Sequence, residues 1–125
     1  MNSDFQITSG PKVISPKMHA VLDYGVAGTF IAQGIRFASH HRRAAALAFI
    51  NGAMILAVSM LTDYPGGLWK KISFKGHGIA DAGQAALAGL GPVLMGFGGD
   101  PEAKFFYGQA ASEAGVIAAT DWNSR

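Results

Sequence analysis

The sequence predicts an all-α protein: a four-helix transmembrane bundle made of two tandemly duplicated helical hairpins with pseudo-twofold symmetry. Three observations carry this prediction. Half of the 125 residues are hydrophobic and only 14% are charged, whereas an ordinary soluble domain carries about 25% charged residues. The apolar residues gather into runs long enough to cross a bilayer. A polar motif then recurs once, in register, across the chain.

The motif is Ile14-Ser15-Pro16-Lys17-Met18-His19 followed by Asp23 and Gly25. It returns as Ile72-Ser73-Phe74-Lys75-Gly76-His77 followed by Asp81 and Gly83, an offset of 58 residues. The same offset maps Leu61-Thr62-Asp63-Tyr64 onto Ala119-Thr120-Asp121-Trp122 without a gap. It also pairs Ala45 with Ala103, Ala53 with Ala111 and Val58 with Val116. Matched polar residues at both ends of the unit point to duplication. Residues 1–13 read as a polar tail without the apolar core of a secretion signal. Residues 14–125 then form one membrane domain, with repeat 1 over 14–71 and repeat 2 over 72–125.

The elements follow in order. Ser15 can cap the first helix, with Pro16 in the first helical position, where its missing N–H costs nothing. The span from His19 to Phe37 is uncharged between Asp23 and Arg36. Ser39-His40-His41-Arg42-Arg43 links it to the second helix, and these histidines are expected among lipid headgroups. Ala44 to Thr62 is 19 residues without a charge. As a helix that is about 28 Å, close to the hydrocarbon thickness of a bilayer. Pro65-Gly66-Gly67 stops this helix near Tyr64. Ser73 caps the third helix as Ser15 caps the first, and Ala82 to Gly99 is uncharged. Pro92 falls inside that helix and should kink it. Gly96 to Asp100 reads as a turn. The last span, Phe105 to Thr120, is diluted by Gln109 and Ser112 and interrupted by Glu113.

Two hairpins of this kind share one orientation, related by an axis along the membrane normal. Lys12, Lys17, Lys70, Lys71, Lys75 and Arg125 collect on one side, against Arg36, Arg42, Arg43 and Lys104 on the other. That excess places the N-terminus in the cytoplasm of a bacterial inner-membrane protein. Small residues four apart, Gly28 with Ala32 and Ala111 with Gly115 and Ala119, are expected as packing faces within the bundle, with a homodimer contact as the alternative. Trp69 and Trp122 are expected in an interfacial aromatic belt. The basic residues lie in short clusters between apolar runs and not along one face, which argues against nucleic-acid binding. Cysteine is absent, which removes disulfides, thiolate metal sites and a cysteine nucleophile.

Ile14-Ser15-Pro16-Lys17-x-His19-x-x-Leu22-Asp23-Tyr24, then Leu61-Thr62-Asp63-Tyr64, then His77-x-x-x-Asp81, resembles the SPW-repeat-like integral membrane proteins of bacteria. The resemblance covers nearly the whole chain after residue 12. Gly91-Pro92-Val93-Leu94-Met95-Gly96-Phe97 stands where that family closes an odd-numbered span with an S-P-W-like segment. The resemblance implies four spans and a duplicated hairpin, and it implies no activity.

The candidate chemistry lies in His19, Asp23, His77 and Asp81, with Asp63 and Asp121 ending the second and fourth helices on the same side. A histidine and an aspartate four apart share a helix face. Ionisable groups at membrane depth belong inside the bundle with a partner. Three readings stay open. In the structural one, carboxylates and imidazoles staple the helices together. In the second, His19 and His77 are axial ligands of a b-type haem. In the third, the two histidines and two aspartates bind a divalent metal such as Zn, Mn or Fe. Glu113 has no counterpart in the first repeat, where Ile55 stands, and reads either as a hydrogen-bonded acid or as a relay. No hydrolase elbow, P-loop, zincin or dinucleotide fingerprint occurs. The sequence therefore points away from an enzyme. It points toward a structural or interaction component of the membrane, as a small oligomer or an accessory subunit of a larger complex, with a cofactor-bearing electron-transfer protein as the alternative.

Overall fold

The computed structural model describes residues 12–123. Residues 1–11, most of the expected polar tail, and Arg125 lie outside the described residues. Four helices account for most of the chain: α1 Pro16–Phe37, α2 Arg42–Leu61, α3 Phe74–Leu94 and α4 Ala103–Ala119.

Local chemistry explains the boundaries. The Ser15 hydroxyl accepts from the Met18 amide at 3.2 Å, with Pro16 opening the helix. The Ser73 hydroxyl accepts from the Gly76 amide at 3.0 Å and starts α3 in the same way. His41 caps α2, its Nδ1 accepting from the Ala44 amide at 3.1 Å. Both α2 and α4 end on a threonine in extended conformation, Thr62 and Thr120. α3 runs through Pro92 to Leu94, and Gly96 then turns the chain at a φ of +81°. The Gly96 to Asp100 segment is a turn, as expected.

α1 packs on α2, α2 on α3, and α3 on α4. Two short backbone ties complete the arrangement at one end. The Ile14 amide donates to the Ala119 carbonyl (3.0 Å) and the Asp121 amide to the Ile14 carbonyl (2.9 Å), joining the end of α4 to the start of α1. The Ile72 amide donates to the Leu61 carbonyl (2.7 Å) and the Asp63 amide to the Ile72 carbonyl (2.7 Å), joining α2 to α3. These are isolated bridges, and the described residues contain no strand.

The core divides into two zones. Toward the loops after α1 and α3 lies an aromatic cluster in which Phe30, Phe37, Phe97 and Phe106 are almost fully buried, among Ala27, Ala44, Ala48 and Ala88. Small residues there let backbones approach: a Cβ on Gly52 would lie 2.9 Å from Ile31, and one on Gly91 would lie 2.7 Å from Leu47. At the opposite end Ala20, Tyr64, Phe74 and Trp122 surround the polar residues.

The outer surface is unusual for its lack of charge. The outward positions of α1 between Lys17 and Arg36 include Val21, Gly28, Ala32 and Ile35. Those of α2 beyond Arg43 include Phe49, Ile50, Ala53 and Met54, and those of α3 beyond Lys75 include Ile79, Ala86, Leu90 and Val93. By length and composition, α2 alone among the described helices is apolar and long enough to cross a bilayer, with a mean hydropathy of 2.1. α4, at 17 residues, is short, while Asp23 and Asp81 add charge to α1 and α3.

Three packing expectations are corrected. Gly28, Ala32, Ala111 and Gly115 face outward instead of lining helix contacts, and a Cβ on Gly28 or Gly115 would meet nothing within 4 Å. Trp122 is 5% exposed and packs inside, whereas Trp69 is 59% exposed. His41 is an inward cap whose Nε2 lies 2.9 Å from Asp100, so only His40 of that pair is open to its surroundings.

A buried ring of two histidines and two aspartates

His19 and Asp23 share one face of α1, and His77 and Asp81 share the matching face of α3. The fold turns the two faces toward each other. The four side chains form an alternating ring. His19 Nε2 lies 3.3 Å from Asp23 Oδ1 and 2.8 Å from Asp81 Oδ2. His77 Nε2 lies 2.9 Å from Asp23 Oδ2 and 3.1 Å from Asp81 Oδ1. Both imidazoles are fully buried, at 0% and 1% exposure. Phe74 and Trp122 close over His19, with ring centroids 5.6 and 5.0 Å away.

The threonines that end α2 and α4 fix the histidine tautomers. Thr62 Oγ1 lies 2.7 Å from His77 Nδ1 and 2.6 Å from the Val58 carbonyl oxygen. Thr120 Oγ1 lies 2.8 Å from His19 Nδ1 and 2.6 Å from the Val116 carbonyl oxygen. A carbonyl oxygen cannot donate, so each hydroxyl spends its single proton there. Each threonine must then accept from an Nδ1–H. A neutral imidazole carries one N–H, which leaves both Nε2 lone pairs aimed at the carboxylates. That arrangement is repulsive as it stands. It becomes favourable if each imidazole gains a second proton or if a cation sits within the ring.

The two histidines differ in how they meet the carboxylates: His19 Nε2 is aligned for a hydrogen bond with Asp81 Oδ2 at 2.8 Å. His77 Nε2 is close to two carboxylate oxygens, yet neither is aligned to accept a hydrogen bond from it. At His77 the separations are those of an ion pair but the alignment is not that of a hydrogen bond, which weakens steeply off axis.

The ring is not symmetric in its surroundings. Tyr64 donates to Asp23 Oδ2 at 2.9 Å. Burial, and after it the charge of Asp23, pushes the Tyr64 phenol above its ordinary pKa, so it remains a donor. The residue one repeat later is Trp122, whose Nε1 donates to the Ile117 carbonyl at 3.0 Å instead. Asp81 borders a cavity of about 30 Å³ that Glu113, Gln84 and Asp23 also line. That is room for one or two waters. Glu113 is 9% exposed and its Oε2 has no partner among the described residues. Gln84 donates to Asn51 Oδ1 at 2.6 Å, tying α3 to α2 beside this cavity.

Of the residues singled out from the sequence, the structure joins His19, Asp23, His77 and Asp81, and sets Glu113 beside them. Asp63 and Asp121 stand apart from the ring, at the backbone ties; Asp121 Oδ1 accepts from the Asn123 amide at 3.2 Å. Thr62, Thr120 and Tyr64 were not among the predicted site residues. Their signal was present in the repeated Leu61-Thr62-Asp63-Tyr64 segment, where threonine is kept in both copies. A bis-histidine haem is not what this geometry suits. The imidazole centroids are 5.2 Å apart and both carboxylates occupy the space between the Nε2 atoms, leaving no slot for a porphyrin plane. The chain matches no protein-family model, no curated protein and no solved structure.

Proposed function

We propose that this chain is a small integral membrane protein of the SPW-repeat-like kind, built by duplication of a helical hairpin, and that it serves as a structural or interaction component of a bacterial inner membrane. The observation that carries this reading is the distribution of charge. Outward positions between the basic residues at the two ends of the helices carry no charged side chain, and Thr29 and Ser112 are the small polar exceptions there, while Asp23, Asn51, Ser59, Gln84 and Glu113 are buried. A water-soluble bundle shows the reverse, with a polar face outward. α1, α2 and α3 measure about 30–33 Å and α4 about 26 Å, matching a hydrocarbon core of roughly 30 Å. α4 is short, and α1 and α3 carry Asp23 and Asp81 on the faces turned toward each other, which lipid would not meet.

The duplication is supported by equivalent contacts one repeat apart. Ser15 and Ser73 cap, Thr62 and Thr120 hold the histidines, and Ile14 and Ile72 form the backbone ties. The His–Asp ring then joins the two hairpins at their cores. The outward ladder of Gly28 and Ala32, and that of Ala111 and Gly115, offers close-approach surfaces for a second copy or a larger complex. Membrane integration is tested by expressing the full chain and washing membranes at alkaline pH. An integral protein stays in the pellet; release into the supernatant contradicts the reading.

A further inference from the structure

We propose that the His19, Asp23, His77 and Asp81 ring is a four-ligand binding site for one divalent transition-metal ion of the Zn²⁺ class, with Thr62 and Thr120 as its orienting partners. The inference adds to the membrane reading and does not depend on it. It rests on protons, geometry and charge.

The threonines place a proton on Nδ1 of both imidazoles, as derived above, so in their neutral form both Nε2 atoms present lone pairs inward. Metal-bound histidines characteristically donate their other ring N–H to a fixed acceptor, which sets the tautomer. Here both do so, to the two threonine hydroxyls, at 2.8 and 2.7 Å. The second cluster with metal-ligand residues, His41, Asp100 and Glu102, provides the contrast. There Nδ1 of His41 accepts from the Ala44 amide, so Nε2 carries the proton and donates to Asp100 at 2.9 Å. His41 has no lone pair left for a metal, and that cluster is a cap and a tie.

The ligand atoms of the four ring residues all lie within 4.8 Å of one another. The adjacent nitrogen–oxygen distances run from 2.8 to 3.3 Å. Ligand distances of about 2.0–2.1 Å place the atoms of a tetrahedral site roughly 3.3 Å apart. Those contacts use both oxygens of each aspartate, so coordination through one oxygen of each requires the carboxylates to turn within the cluster. The misaligned contacts of His77 Nε2 fit coordination, because coordinating lone pairs converge on a central point and not on each other's oxygens.

Charge narrows the class of ion. Two carboxylates and two neutral imidazoles sum to two negative charges, which a divalent cation cancels in a buried site. Mixed imidazole and carboxylate donors suit Zn²⁺, Co²⁺, Fe²⁺ or Mn²⁺; thiolate-seeking Cu⁺ and the all-oxygen preference of Ca²⁺ and Mg²⁺ fit less well. Tyr64, donating to Asp23 Oδ2, would hold one carboxylate in a fixed orientation.

The test uses the full chain, purified in detergent without chelators and with any affinity tag removed. Elemental analysis should find about one ion per chain, since the ring supplies one complete ligand set. The chelator-treated protein, titrated with Co²⁺, should develop the intense visible absorbance of a four-coordinate site. Asp81→Asn, which keeps the shape of the side chain, should abolish that absorbance while circular dichroism shows the helices intact. Thr62→Val should weaken Zn²⁺ binding by about 10–100-fold without removing a ligand. The inference is overturned if wild-type protein holds no ion after re-addition and gives only the weak spectrum of hydrated Co²⁺. It is equally overturned if Asp81→Asn and His77→Gln bind as wild type does. Should a variant lose its helices, the wild-type result alone decides, and a Zn²⁺-dependent rise in its melting temperature is the second readout.

Discussion

Replacing Thr62 with valine preserves shape and removes one hydroxyl. That hydroxyl donates to the Val58 carbonyl at 2.6 Å and accepts from His77 Nδ1 at 2.7 Å. His77 is 1% exposed, so its orphaned N–H finds no water. Leaving a buried donor without a partner costs about 1–3 kcal/mol. The added methyl offsets at most about 0.8 kcal/mol of this, so the expected net loss for Thr62→Val is about 1–2 kcal/mol. Thr62→Ser keeps the hydroxyl and removes a methyl, and should cost about 1 kcal/mol or less. Thr120→Val breaks the corresponding pair to His19 and Val116 and should match Thr62→Val closely. Both act on one ring, so the double variant should deviate from additivity. Unfolding in mixed micelles, followed by Trp122 fluorescence in a Trp69→Phe background, reads the site directly, because the Trp122 and His19 rings meet edge to face with centroids 5.0 Å apart. If Thr62→Val proves as stable as wild type, or more stable than Thr62→Ser, the deduced proton arrangement is wrong.

Other substitutions probe separate parts of the account. Ile50→Lys puts a charge on the outward face near the middle of α2, and should disfavour insertion by about 3 kcal/mol in a membrane-integration assay. In a bundle surrounded by water the same change would be nearly neutral, so unimpaired insertion and folding would count against the bilayer reading. Glu113→Gln should leave stability unchanged or raise it by up to about 1 kcal/mol, because Oε2 is buried without a partner; a large loss in the same micelle titration would show that the ionised acid has a structural role. Gly67→Ala would drive a Cβ into the Thr62 carbonyl oxygen and shift the residue that holds His77. Its expected loss is about 2 kcal/mol or more, and a wild-type melting temperature would refute that.

The helix boundaries were legible because they rest on local chemistry. Ser15 with Pro16 and Ser73 act through amides three residues away, which sequence spacing alone can place. The His–Asp pairs were legible for the same reason, since positions four apart share a face. What sequence does not contain is the direction in which a face points. Gly28 and Gly115 have the spacing of helix contacts, yet packing of α1 on α2 and of α3 on α4 through other faces left them outside. Trp122 has a partner in the repeat, Tyr64, that donates to Asp23; this correspondence, and not an interfacial preference, puts it against His19. His41 looked solvated beside two arginines, and became a cap because the tight link into α2 turns its ring onto the helix amides. Thr62 and Thr120 were visible as repeated residues. Their roles depend on a carbonyl four residues back and an imidazole on another helix, and only the fold brings those together.

The most direct measurement of the central claim is the sidedness of single cysteines, which the cysteine-free chain permits without background. In whole cells an impermeant maleimide should label Ser39→Cys and Gly99→Cys, and should reach Lys71→Cys only after lysis. Labelling of Lys71→Cys alone would keep the four spans and reverse the orientation. Equal labelling of all three positions, or protection of all three, would contradict a bundle whose helices cross the membrane.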